Sequence, residues 1–163
     1  MTNSEPPHAC RSAETVLLLG YGNELRGDDA VGPRVAATVE GWKLPGVRSL
    51  ALHQLTPELA DPISRAEAVI FVDATASPTV TETAAIPLEP VSQSELAAHT
   101  SDPRTLLALA LPLFGRCPPA WLIQIPVEQF VLGQPLSATA TRGVAAALES
   151  IRRLMQTYPA PLV

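Results

Sequence analysis

The residues best suited to chemistry are acids and imidazoles standing beside glycine-rich turns. Asp28 and Asp29 are adjacent in the segment GYGNELRGDDAVG (Gly20–Gly32), and Asp73 ends the apolar run of VIFVDATAS. A carboxylate that closes an apolar strand loses part of its hydration and needs a partner. That partner is either a backbone N–H of the next loop or a cation shared with Asp29. An acidic pair at a helix start has its own ordinary explanation, because it complements the positive helix end. As a simple cap, Asp28 is worth about 1 kcal/mol. The histidines are His8, His53 (followed by Gln54) and His99, the last in SQSELAAHTSDPR. Two carboxylates and one imidazole converging from three loops make a hard-to-borderline O,O,N donor set, compatible with nickel, zinc, manganese or cadmium.

Other chemistries are excluded at the level of motif. The segment GYGNEL supplies the first two glycines of a dinucleotide fingerprint, but Leu25 stands where close helix packing needs Gly or Ala. Asp28 and Asp29 also stand where a pyrophosphate would sit, and like charges repel. The chain has no HExxH, GxSxG or GxxxxGK[ST]. Cys10 and Cys117 are not in a CxxC pair, and Cys117, in FGRCPP, has no histidine in a triad setting.

These side chains must be delivered by the elements around them. Thr15–Gly20 and Ala68–Ala74 are short apolar runs, the mark of strands buried on both faces. Val47–His53 and Ala120–Val127 read as further strands. Glu82–Pro90, with Pro87 inside it, is at best an edge strand. Helices are expected from near Gly32 to Gly41, over Thr56–Ala66 with Thr56 as cap and Pro57 in the first turn, and over Asp102–Phe114 with Asp102 as cap. The last is Leu136–Tyr158, capped by Ser137, with Val144, Leu148, Ile151 and Met155 at helical spacing. This strand–helix alternation implies an α/β fold with a mostly parallel sheet and right-handed crossovers. In such a sheet, ligands bind outside the carboxyl ends of the strands where strand order reverses. The loops after the first and third strands, carrying Asp29 and Asp73, are then neighbours.

The chain has 163 residues, of which 47% are hydrophobic and 17% charged, consistent with a filled core in a single domain. Residues 1–14 lack periodicity and read as a loose tail before one domain over 15–163. The net charge is -5 with no basic run, which disfavours nucleic acid and anionic membranes as partners. No apolar stretch approaches the ~20 residues of a membrane span, and the polar start has no signal-peptide h-region, so a cytoplasmic location is expected.

Four features together resemble the hydrogenase maturation proteases, endopeptidases that trim the large subunit of nickel-iron hydrogenases. They are VLLLGYGNELRGDDAVGPRVA, HQLTPELA after the second strand, VIFVDATAS, and HTSDPRTLLALALPLFG followed by WLIQIPV. The resemblance covers roughly residues 15–158. It implies a three-layer α/β/α sandwich around a five-stranded sheet with one antiparallel strand. It also implies removal of a C-terminal extension from a nickel-iron hydrogenase large-subunit precursor after nickel insertion. Carried over by position, the residues that grip the metal are Asp29, Asp73 and His99, with Asp29 and Asp73 at the reacting bond. Members of the family often have Glu where Asp29 stands, and an acid where His53 stands. Gly22 and Asn23 would let backbone approach the substrate, and His53 and Gln54 would read it. Nickel is then expected to arrive with the substrate, and affinity for added nickel to fall from pH 6.5 to 5 as His99 protonates, with the two acids following only at lower pH. A non-catalytic nickel-binding chaperone and a nucleotide-binding module are the competing readings.

Overall fold

An unbroken apolar run can be a strand only where helices cover both of its faces, and the sheet is arranged accordingly. The computed structural model describes residues 15–92 and 101–158. Five strands, β1 (Val16–Tyr21), β2 (Val47–Leu52), β3 (Ala68–Thr75), β4 (Ala84–Leu88) and β5 (Ala120–Pro126), form one sheet in the order β2-β1-β3-β5-β4. Four of them run parallel, and β4 pairs antiparallel with β5 at the edge. Pro87 lies in β4, where a missing N–H on an edge strand is tolerated.

Side-chain alternation sorts the core into two halves. Val16, Leu18, Ile70, Val72, Ile123 and Ile125 face α1 (Val31–Gly41) and α4 (Ala138–Thr157). Leu17, Leu19, Val69 and Phe71 face α2 (Ala60–Arg65) and α3 (Pro103–Phe114). The result is the expected three-layer α/β/α sandwich. The caps of the two long helices are also as read from the sequence. Asp102 Oδ1 accepts from Arg104 N at 2.8 Å, and Ser137 Oγ accepts from Ala140 N at 3.0 Å.

Two local expectations are corrected. Thr56 makes no side-chain cap, and the helix after it is divided into a 3-10 turn (Pro57–Leu59) and the six-residue α2, with Pro62 in its first turn. Asp28 caps neither the 3-10 turn Gly27–Ala30 nor α1. Among the described residues no helix is long and apolar enough to cross a membrane. The expected tail, residues 1–14, lies outside the described residues.

Candidate functional site

The strand order places β1 between β2 and β3, so the turns leaving β1 and β3 meet at one sheet edge. Their approach depends on missing side chains. A Cβ on Gly20 would lie 2.0 Å from the Gly32 carbonyl oxygen, so β1 and the start of α1 touch backbone to backbone. Gly22 has φ +144°, and a Cβ there would lie 2.1 Å from the Asp29 carbonyl oxygen. These contacts fold residues 22–30 back over the end of β1. Asp29 is fixed within that loop, its Oδ2 accepting from the Asn23 N–H at 2.9 Å, while Asn23 Oδ1 accepts from Leu25 N at 2.9 Å. The Asn23 amide expected to meet substrate is thus engaged by Asp29.

Asp73 follows Phe71 by two residues and therefore points to the α2/α3 side of the sheet, just past the buried part of β3. Its largely buried carboxyl has its pKa pushed up to about 6. Burial is the main cause, and the nearby Asp29 charge adds to it, against hydrogen bonds donated by the Tyr21 hydroxyl and the Ala74 N–H. Tyr21 ends β1 on the same face as Leu17 and Leu19, so the paired strands deliver phenol and carboxyl to each other. The Tyr21 phenol is itself raised far above its ordinary range, first by burial and then by the charge of Asp73, with Asp102 contributing. That influence places the start of α3 at the same edge. Sequence reasoning missed Tyr21 because it read the GYG segment only as glycine chemistry. Its signal was the two-residue period shared with Leu17 and Leu19.

Asp28 has a different task from its neighbour. It is completely buried. Its carboxylate accepts from Glu128 N (2.9 Å), Gln129 N (3.3 Å), Ser137 N (2.6 Å) and Ser137 Oγ (2.8 Å). Burial opposes ionisation, but these donors outweigh it and hold the carboxyl below its ordinary range. Further bonds run beside it: Asp28 N donates to Gln129 O at 3.1 Å and Gly133 N to Leu25 O at 2.8 Å. The Arg26 guanidinium lies 5.9 Å from the centre of the Phe130 ring. Asp28 is the pin joining the first loop to the 128–137 loop.

A cavity of ≈ 490 Å³ opens beside the first loop, lined by Gly22, Asn23, Leu25, Pro33, Leu52 and His53 among others. Neither Asp29 nor Asp73 lines it, but Gly22 and Asn23 belong to both the cavity wall and the contacts of Asp29. His53 and Gln54 are exposed at the end of β2, and Gln54 is not among the lining residues. His99 lies outside the described residues. Among the described residues no group of three metal-ligating side chains is assembled. The arrangement therefore supplies two carboxylates, one of them with its pKa raised to about 6, near an open cavity.

No protein-family model and no curated protein sequence matches the chain. Solved structures do. A [NiFe] hydrogenase maturation protease HybD from Thermococcus kodakarensis aligns with TM-score 0.67 and 25% identity, covering 86% of this chain and 98% of its own. The hydrogenase maturating endopeptidase HybD from E. coli aligns with TM-score 0.66 and 25% identity, covering 88% and 93%. An endopeptidase from Escherichia coli, at 23% identity and TM-score 0.68, shares the fold over 90% of this chain. Sheet order, the turns at the carboxyl edge and these neighbours agree with the sequence motifs: the chain is similar in structure to the hydrogenase maturation proteases, which supports a hydrolase of the endopeptidase type.

Proposed function

We propose that this protein removes the C-terminal extension of a nickel-iron hydrogenase large-subunit precursor, in the cytoplasm, after nickel has been inserted. The observation that carries this reading is Asp73 at the end of a central strand, with the Asp29 charge close enough to raise its pKa. Carboxylate oxygens suit a divalent ion of borderline hardness. Asp29 and Asp73 offer such oxygens but do not by themselves complete a closed four-ligand site. An incomplete donor set fits nickel that belongs to the substrate and brings other ligands with it. His99 is the third ligand in this reading. It stands three residues before Asp102, which bounds the separation along the chain to about 10 Å at most, and the Asp102 charge acts on Tyr21 at the same edge.

Hydrolysis requires a water whose oxygen attacks the scissile carbonyl while a base accepts its proton. A carboxyl titrating near 6 is a stronger base than an ordinary aspartate and is still ionised at neutral pH, which suits Asp73 to that role. The proton then passes to the departing amine. The cavity bounded by Gly22, Asn23 and His53 has room for a short stretch of the precursor beside the bond.

The test is incubation with nickel-loaded large-subunit precursor, read by the mass of the product. Precursor should lose its extension with wild-type enzyme and keep it with Asp29→Ala, Asp73→Ala or His99→Ala, each variant remaining folded by circular dichroism. Wild-type processing by Asp73→Ala would show the site to be misassigned. Unchanged precursor mass with wild-type enzyme, despite nickel-dependent complex formation, would favour a chaperone.

A further inference from the structure

The two edges of the sheet are unlike. β4 closes one side and carries Pro87, which has no N–H to offer a further strand. β2 closes the other side with VRSLAL, which is free of proline. In a parallel ladder, every second residue turns its N–H and C=O to the neighbouring strand. Gly46 O accepts from Val16 N at 3.1 Å and Leu52 O accepts from Gly22 N at 3.0 Å, so the even-numbered residues of β2 face β1. The odd-numbered residues Val47, Ser49 and Ala51 therefore direct their backbone groups away from the sheet. Val47 N is taken by Leu44 O at 3.3 Å. Ala51, at the carboxyl end, is exposed, and among the described residues no strand pairs with that side of β2.

The ≈ 490 Å³ cavity opens at the same place. Ala51, Leu52 and His53 line it together with Pro33 of α1 and Leu25 of the first loop. Ser49 Oγ donates to Ala36 O of α1 at 2.7 Å, which puts Ser49, and Ala51 two residues on, on the α1 side of the sheet. Leu25 is 70% exposed, although its backbone oxygen is fixed by Gly133 N. Past Leu52 the ladder passes directly to Gly22, next to the Asn23 N–H that holds Asp29. The open edge, an apolar wall and a site acid are thus contiguous.

We propose that the segment of the precursor to be cut binds as an extended strand added to the outer edge of β2 at Ala51, with one apolar side chain in the cavity against Leu25 and Pro33. This rests on the function proposed above and names how its substrate is held. Main-chain bonds to an edge strand supply affinity, and a pocket for an alternate side chain supplies selectivity. An added strand lies about 4.8 Å from β2, and its path continues past Leu52 toward the loop of Asp29.

Ala51→Pro removes the outward N–H and no bond to β1. With nickel-loaded large-subunit precursor, its KM should rise about 3- to 10-fold, the worth of one hydrogen bond, with kcat within about twofold of wild type. Leu25→Ser keeps the bond from Gly133 N and should also raise KM. Proline placed in turn through the precursor segment should raise KM at every second residue at most, because only alternate N–H groups of an added strand meet β2. Wild-type KM in a folded Ala51→Pro overturns the pairing. A proline scan that is flat, or equally sensitive at adjacent residues, overturns it too, and decides the matter if Ala51→Pro fails to fold. Wild-type KM in Leu25→Ser overturns the apolar pocket. Wild-type enzyme that leaves the precursor uncut fails the proposed function and the pairing together, whereas normal cutting with unchanged KM in the variants fails the pairing alone.

Discussion

Asp73 is held where an aspartate is uncomfortable, and that discomfort is measurable. Its pKa is raised from 3.8 to about 6, mainly by burial, so the folded protein binds this proton more tightly than the unfolded chain. The associated stability is therefore complete below about pH 4 and is lost as the pH rises through 6. Asp73→Asn, which keeps size and hydrogen bonding but not charge, should be more stable than wild type by about 2–3 kcal/mol at pH 7.5 and nearly equal to it at pH 4. Urea unfolding of chelator-treated protein at the two pH values measures this, and a difference that does not change with pH would refute it. The same shift corrects the expectation that both acids release metal only well below the histidine range. With Asp73 protonating near 6, affinity for added nickel should fall steeply between about pH 7 and 5, and calorimetry in buffers of different ionisation enthalpy across that window should show more than one proton released per nickel bound. Asp29→Ala should leave the steep fall in place, whereas Asp73→Asn should flatten it.

At the scale of elements, the 27–30 turn is the piece that sequence reasoning described least well. Adjacent aspartates at a helix start look alike in a sequence, and capping explains both. The structure separates them. Asp29 turns back to the Asn23 N–H, whereas Asp28 is buried against residues 128–137. Nothing local distinguishes the two, because the partners of Asp28 are 100 to 109 positions away. The cap value of about 1 kcal/mol for Asp28 is accordingly too small. Asp28→Ala leaves several buried donors without an acceptor and should cost on the order of 3 kcal/mol or more in urea unfolding. A loss of 1 kcal/mol or less would show that water replaces the carboxylate. Elements whose signals are local were legible: Asp102 and Ser137 announce their helices, and Pro87 marks the edge strand. Tyr21 was not, since its meaning depends on the register of β1 against β3, which no single strand encodes.

For the molecule as a whole, the parallel order follows from alternating strand and helix, and the switch between β2 and β3 on either side of β1 sets the working edge. Sequence was sufficient for that much because each apolar run had to be covered on both faces. The Asp28 pin adds an order in time. A ribosome delivers this chain from its amino terminus, and the loop carrying Asp29 emerges long before Ser137, the residue that locks it. Stalled nascent chains displaying only the residues up to 126 should leave the 22–30 loop open to protease, and chains displaying residues through 158 should protect it. Protection in the shorter chains would mean that the loop closes unaided. Otherwise the first acid synthesised for the working edge is among the last to be secured, and an unfinished enzyme is a silent one.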